Sequence, residues 1–514
     1  MIRTLRVSAL LAAVAVALSG CSFLTPPPDS APRESTPTGE DVAAELRPYY
    51  AQQIDWESCG DRLDCATVTA PLDWADAASG DDIELAIVRH RAEDEALGSL
   101  LVNPGGPGGS GVDFVQQSAA YVVTAPVLAA YDVVGFDPRG VGRSTPVTCL
   151  DDADKDELLY GTFDDDYGTA GWLDELAVEQ ADFASACQSN TGDLLGHVDT
   201  ASVARDLDML RATLGDESLS YLGYSYGTEI GATYAELFPE KVGRLVLDGA
   251  VDPTLSDFEK LRVQMAGFES AARAYMADCL EQEGCPFTGS VDDGLSQLRA
   301  ELDAVDAAAL TASDGRVLDA ATVGTAIAYA LYSEFSWPEV SAVVAGLRAG
   351  DADPAFRNAD GYNSRAADGS YDGNSLEVYT AVTCLDGDFA SDPESTLDRL
   401  AEIDAVAPTV GRAIALDDFA VLDTVCAAWP EPGTEQPTSY DAEGAAPILV
   451  IGTTNDPATP YAWAQSLADQ LSSGVLITYE GEGHTIYAQG VACVDDAVDA
   501  YLLEGTVPSA DPGC

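Results

Sequence analysis

Apolar and polar positions follow two rhythms along this chain. From Cys65 to Trp74 and from Ile83 to Ala92 they alternate one by one, the period of a half-buried strand, so two strands are expected to open a sheet. A short buried strand is expected after Gly98, running into a glycine-rich loop, Asn103 to Gly111, and then into a helical pattern from Val112 to Tyr121. Tyr131 to Phe136 is a continuous apolar run of strand length, followed by the turn sequence Asp137-Pro138-Arg139-Gly140. An amphipathic helix is expected over Thr200–Leu214, a strand over Leu219–Leu222, a helix carrying Ile230, Tyr234, Leu237 and Phe238 on its apolar face, and a strand over Arg244–Leu247.

Strands that read as fully buried runs, separated by helices, point to an α/β fold: a mostly parallel central sheet with helices on both faces. The rhythm breaks between Ser256 and Pro430, where the sequence is Ala-rich, helical in pattern and interrupted by a polar Gly/Asp-rich stretch from Asn358 to Asn374. That segment is too long for a loop and is expected to be a large helical insertion. The strand and helix rhythm then returns with Pro447–Gly452, a helix near Ala462–Leu471, a strand over Val475–Tyr479 and a helix over Val491–Leu503. Residues 41–255 and 431–514 are thus expected to make the two parts of one core, with 256–430 inserted between them.

Composition narrows the partners. The chain has 514 residues, 24 basic against 87 acidic, a net charge of −63, and only three lysines, Lys155, Lys241 and Lys260. Neutralising phosphate takes clustered Lys and Arg, so nucleic acid is a poor partner for this surface. The acidity reads first as solubility, with adaptation to salt or attraction of basic substrates as the other readings.

Residues 1–21 hold two arginines and then an apolar run too short to span a bilayer, the pattern of an export signal. Leu18-Ser19-Gly20-Cys21 resembles a bacterial lipobox, which makes Cys21 the expected lipidation site and the membrane a partner through a lipid anchor on the outer face; an ordinary secretory signal is the alternative. Residues 22–40, rich in Pro, Ser and Thr, read as an extended tether. Of 11 cysteines, ten remain after Cys21, an even number suited to an oxidising compartment. Their distribution suggests neighbour pairing: Cys59 with Cys65, Cys149 with Cys187, Cys279 with Cys285, Cys384 with Cys426, and Cys493 with Cys514. Without a CxxC or HExxH motif, and with three histidines in all, no metal or other cofactor is expected.

The chemistry concentrates at Gly223-Tyr224-Ser225-Tyr226-Gly227, which falls on the expected strand-to-helix turn. That is the setting of a nucleophile elbow, where a tight turn pushes the serine hydroxyl outward and leaves room only for glycine at the flanks. A serine needs a base, and the base needs an orienting acid. His90 and His197 precede the serine and read as structural; His484, in Gly481-Glu482-Gly483-His484-Thr485 after a strand, has the position in chain order that this architecture requires. The acid is expected to be Asp456, which follows the strand at Pro447–Gly452 and whose bland reading is an Asp-Pro turn former; Asp248 is its rival. For the developing oxyanion, the backbone N–H groups of Tyr226 and of Gly106 are the expected donors. The loop lacks the lysine of a phosphate-binding GxxxxGK[ST] motif.

Five separated blocks, VNPGGPGGSG, YDVVGFDPRGVGRS, YLGYSYGTEIGATYAELFPEKVGRLVLDG, NDPATP and GEGH, together resemble the α/β-hydrolase-fold serine peptidases of the actinobacterial tripeptidyl aminopeptidase group, which are related to prolyl iminopeptidases. The resemblance runs in motif order from about residue 40 to the C-terminus. It implies Ser225 as nucleophile, Asp456 as orienting acid, His484 as general base, Gly106 and Tyr226 as the oxyanion hole, and the insertion as a lid. It further implies an exported, lipid-anchored exopeptidase that releases short peptides from free N-termini through an acyl-enzyme, with lid carboxylates holding the substrate amine; Glu334, flanked by aromatics, is one candidate. The related prolyl enzymes place His-Gly before Gly-Pro-Gly, whereas this chain has Asn103-Pro104-Gly105, a departure at the point where proline specificity would be carried over. Two other readings stand beside it: a carboxylesterase or lipase using the same residues, and an inactive surface-binding homologue.

Overall fold

Single-residue alternation does build strands at the start of the chain, and it builds one more than the pattern announces. In the computed structural model, which describes residues 34–514 apart from 94, 388, 390–392 and 418, β1 (Glu57–Gly60), β2 (Leu63–Pro71) and β3 (Asp82–His90) form an antiparallel meander. β1 is exposed along its whole length, so no burial signal marks it; it is held at the sheet edge by pairing and by the Cys59–Cys65 disulfide. The remaining strands are β4 (Ser99–Asn103), β5 (Asp132–Phe136), β6 (Leu219–Tyr224), β7 (Val242–Asp248), β8 (Ile448–Asn455) and β9 (Gly474–Glu482). The nine strands lie in the order β1-β2-β3-β5-β4-β6-β7-β8-β9, antiparallel as far as β5 and parallel from there to β9.

The continuous apolar runs are continuous because both faces of the sheet are covered. Leu101, Val134, Tyr221, Leu245 and Val450 point into one core with helices Thr200–Leu214, Tyr226–Leu237 and Tyr461–Gln470. Their sequence neighbours Leu100, Val102, Val133, Leu222, Val246 and Leu449 point into a second core with helices Gly111–Val122 and Ala492–Glu504. The Asp137-Pro138-Arg139 turn is architectural. Arg139, fully buried, makes a bidentate pair with Asp206 at 2.7 Å and bonds the carbonyls of Pro71, Leu72 and His197. A buried guanidinium left without that carboxylate would be strongly destabilising, which ties the turn to the Thr200–Leu214 helix.

Between β7 and β8 the chain leaves the sheet and folds as helices from Asp257–Glu281 to Phe419–Ala427 around a third core of its own. The first of these helices starts at a capping box in which Ser256 and Glu259 satisfy each other's exposed backbone groups. The layer also recruits two helices from before the elbow, Asp152–Tyr160 and Ala170–Thr191, through Tyr160, Trp172, Leu173 and Leu176. The longer helix serves two cores, presenting Phe183, Ala184 and Cys187 to the sheet-side core. Conversely, Val378, Ala381 and Leu385 of the inserted helix Ser375–Asp386 pack into the sheet-side core. Among the described residues five disulfides join each cysteine to its neighbour in the sequence, Cys59–Cys65, Cys149–Cys187, Cys279–Cys285, Cys384–Cys426 and Cys493–Cys514. Cys21 lies outside the described residues.

Candidate active site

β6 delivers Ser225 at its C-terminal end, between β4 and β7, and the helix Tyr226–Leu237 begins at the next residue. Ser225 has φ 55° and ψ −126°, outside the regions comfortable for a side chain, and such strain is typical of functional turns. The two flanking glycines have steric causes. A Cβ on Gly223 would lie 2.2 Å from the Gly227 carbonyl oxygen, and one on Gly227 would lie 2.9 Å from the Asn103 carbonyl oxygen. The turn is locked by its own backbone: the Ser225 N–H donates to the Asp248 carbonyl at 2.9 Å, and the Ser225 carbonyl accepts from the Thr228 N–H and hydroxyl at 2.8 and 2.6 Å.

The glycine-rich loop after β4 lies against this elbow. A Cβ on Gly105 would approach the Ser225 Cβ to 2.9 Å and the Tyr226 nitrogen to 3.1 Å. The Gly105 N–H donates to the Asn103 side-chain oxygen at 2.8 Å and the Gly105 carbonyl accepts from the Gly109 N–H at 3.1 Å. Asn103, 1% exposed, therefore shapes the loop at the place where the prolyl enzymes carry a different sequence. Among the described residues no acceptor in the protein engages the N–H of Gly106 or of Tyr226, the first residue of its helix. The positive end of that helix adds to the field at this point.

His484 follows β9 in a turn held by Gly483 (φ 101°) and Thr485 (φ 61°). Its Nδ1 lies 2.9 and 3.0 Å from the two carboxylate oxygens of Asp456 and 3.2 Å from the Thr459 hydroxyl. An imidazole nitrogen facing a carboxylate carries the proton, which leaves Nε2 with the lone pair. Asp456 is at the same time the turn former of its bland reading, because it accepts the N–H groups of Ala458 and Thr459, each at 2.9 Å, and the Thr459 hydroxyl at 3.0 Å. Burial opposes a charged His484, but the Asp456 carboxylate, by charge and hydrogen bond, and the Asp248 charge outweigh it, so the imidazole titrates above its ordinary range.

Asp248, the rival acid, is a brace. Its Oδ2 accepts the N–H groups of Ile486 and Tyr487 at 2.9 and 2.8 Å, and with its carbonyl on Ser225 it ties the elbow to the loop that carries His484. Burial pushes its carboxyl up to about 6, and its Oδ1 is buried without a hydrogen-bond partner. The next residue, Gly249 (φ 68°), makes room for the imidazole: a Cβ there would lie 3.1 Å from His484 Cε1.

Ser225, Tyr226, Gly106 and His484 line one cavity of about 830 Å³, bounded on one side by the sheet's C-terminal edge and on the other by the helical layer. Its wall is aromatic and apolar over much of its extent, including Phe163, Trp172, Phe268, Tyr332, Tyr362 and Phe419. Five carboxyls, Glu179, Glu229, Asp257, Asp319 and Asp386, face two lysines, and Lys155 is already paired with Glu377 at 2.7 Å, so the wall is acidic. Glu229, one helical turn beyond Ser225, pairs with Lys260 at 3.3 Å. Asp386 accepts the Thr200 hydroxyl and the Gln436 amide, both at 2.6 Å, and Thr200 in turn bonds the Tyr226 hydroxyl at 2.6 Å. Burial, with the nearby charges of Asp199 and Glu229, pushes Asp386 up to about 8, and burial beside Glu157 pushes Glu179 up to about 7.

Glu334 is absent from this wall; it is exposed and stands near Glu482. Neither His90 nor His197 lines the cavity. Sequence reasoning missed Thr459, Glu229 and Asp386. Glu229 was within reach, since residues three and four apart share a helix face and Tyr226 was already placed; Asp386 arrives through tertiary packing that no local pattern encodes.

Comparison with known proteins agrees with this architecture. A family model described as TAP-like protein matches residues 413–514. Serine protease Hip1 of Mycobacterium tuberculosis is 36% identical over 100% of this chain and 98% of its own. Carboxylesterase B of the same species is 38% identical over 96% of this chain and 95% of its own, and the tripeptidyl aminopeptidase of Streptomyces coelicolor is 31% identical over 90% and 86%. This chain belongs with them, in the TAP-like family of α/β-hydrolase-fold serine hydrolases.

Proposed function

We propose that this serine hydrolase is an exported exopeptidase that releases short peptides, tripeptides among them, from free N-termini through an acyl-enzyme on Ser225. The observation that carries the reading is the cavity: the nucleophile opens onto a bounded, acidic chamber whose volume suits a ligand of a few residues. The end of a peptide fits such a chamber, and a carboxyl-rich wall suits an α-ammonium group. The relative named tripeptidyl aminopeptidase supports the same substrate class.

In this mechanism Ser225 Oγ attacks the scissile carbonyl while His484 Nε2 takes its proton. Asp456 holds the tautomer and stabilises the imidazolium, and the N–H groups of Gly106 and Tyr226 receive the oxyanion. His484 then protonates the leaving amine, and water repeats the cycle on the ester. Ester hydrolysis is the second reading, favoured by the aromatic wall and by the relative named carboxylesterase.

The test compares a free tripeptide 4-nitroanilide, its N-acetylated form and a short acyl 4-nitrophenyl ester. The free form is expected to exceed the acetylated form by about a hundredfold or more in kcat/KM, the worth of a buried charged contact. Equal rates on the two peptides would remove the exopeptidase reading and leave the esterase.

Export rests on the signal pattern of residues 1–21 and is supported by the disulfides, which suit an oxidising compartment. The lipid anchor on Cys21 is part of the same proposal. Cys21→Ala is expected to move the protein from the membrane fraction to the soluble one; unchanged membrane retention would refute the anchor.

A further inference from the structure

The layer that bounds the cavity also touches the base. The backbone N–H of His484 donates to the carbonyl of Tyr332 at 2.9 Å, and Tyr332 is the residue at which the inserted helix Ala320–Leu331 ends. The Tyr332 ring meets the imidazole edge to face, with centroids 5.5 Å apart and planes at 83°, and is itself packed on Phe268 at 5.7 Å and Tyr362 at 6.4 Å. Gly483 is favoured here by its backbone, φ 101°, and not by crowding, since a Cβ there would stand at ordinary contact distance, 3.4 Å, from the Tyr332 carbonyl oxygen.

The acid's turn is gripped from the same side. In helix Asp257–Glu281, the Gln264 side chain donates to the Ala458 carbonyl at 2.7 Å, Gly267 lies against the Asp456 and Pro457 carbonyls, and Ser270 bonds Asn455. The His484 backbone is thus fixed by the sheet through Asp248, which takes the next two N–H groups after Thr485, and by the helical layer through Tyr332. Its two flanking residues both have positive φ, so this loop conformation depends on those outside restraints.

We infer that Tyr332 is a positioning residue through which the helical layer aims the His484 imidazole at Ser225. The inference rests on the reading of His484 as the base. Tyr332 covers the ring with carbon, and the groups that set the imidazole's charge are Asp456 from the β8 turn and Asp248 from β7; Glu482, the last residue of β9, stands near Glu334 of the layer. Burial disfavours the imidazolium. Removing the Tyr332 ring therefore lets water reach the charged form and, with Asp456 still bonded to Nδ1, moves the titration of His484 to higher pH, while the ring turns away from its aim at Ser225.

The chain has three histidines, so [15N]histidine-labelled full-length protein gives three imidazole signals, and His484→Gln assigns the relevant one. Tyr332→Ala is expected to raise the His484 titration midpoint and the acid limb of kcat/KM together, and to lower kcat by about ten- to a hundredfold, the usual loss from a misplaced catalytic group. Tyr332→Phe is expected to restore the midpoint and to bring kcat back to within about threefold. A residue that only walled the substrate would change KM and leave the titration where it was. An unmoved His484 midpoint in Tyr332→Ala, or a Phe variant as impaired as the Ala variant, overturns the inference. If the Ala variant fails to fold, Tyr332→Leu, closer in volume, is read by the same two criteria. Turnover that survives His484→Gln would instead refute the reading of the base itself.

Discussion

Ser225→Ala is expected to lower kcat by about 10⁵-fold or more while leaving the folded protein intact, because it removes the attacking atom and little else. The Ser225 side chain takes no part in the hydrogen bonds that lock the elbow; these run through its backbone and through Thr228. Alanine at φ 55° bears the same backbone strain as serine, so the turn survives the change with a stability shift of under about 1 kcal/mol. Steady-state kinetics with unfolding by urea in parallel separates the two effects. Substrate should still bind, since the cavity wall is unchanged, and labelling by a fluorophosphonate should disappear. Residual kcat within a hundredfold of the parent would mean that another group attacks.

The second large effect distinguishes two buried aspartates, one bonded to the base and one bonded to the backbone of its loop. Asp456→Asn should cost about 10⁴-fold in kcat, because an amide beside Nδ1 no longer selects the tautomer that leaves Nε2 free to accept a proton. Asp248→Asn keeps an oxygen for the Ile486 and Tyr487 N–H groups and removes a carboxyl whose Oδ1 is already unpartnered, so it should cost only about tenfold, chiefly through a looser loop. Asp248 is pushed up to about 6, and a raised carboxyl contributes stability below its unfolded value near 3.8 that is lost as pH rises through about 6. Asp248→Asn should therefore flatten the decline in stability across that window, measured as urea midpoints between about pH 4 and 8. Equal losses of kcat in the two variants would contradict the assignment of separate roles.

Asp248 ends β7 and Asp456 directly follows β8, both in the parallel part of the sheet, which explains why they competed in the sequence. Each follows an apolar run directly, and each begins a turn. What separates them is lateral: β8 pairs directly with β9, which carries His484, whereas β7 pairs with β6 and β8, and Asp248 instead reaches the backbone of the base loop. Adjacency in a sheet is a long-range property, yet the preference for Asp456 followed from its proximity to the next strand.

The elbow was legible because its constraint is local. Gly223 and Gly227 are dictated by backbone atoms within the turn and by the Asn103 loop, and the strand and helix on either side have clear periods. The helical layer was legible as a region and not as a wall. Its helices show apolar residues, but whether Asp386 faces the cavity or Glu334 faces solvent depends on how the helices rotate against one another and against Ala170–Thr191. Tyr332 illustrates the same boundary: the flanking aromatic was visible beside Glu334, while its contact with a histidine 152 positions later was not.

The central claim, that Ser225 serves a chamber built for peptide ends, is tested most directly with an equimolar mixture of free and N-acetylated copies of the same oligopeptides. The mixture is incubated with the parent enzyme and with Ser225→Ala, and the products are read by mass spectrometry. The account predicts short N-terminal fragments, tripeptides among them, from the free copies alone and nothing from the Ser225→Ala reaction. Internal cleavage, equal cleavage of the acetylated copies, or fragments released by the Ser225→Ala protein would contradict it.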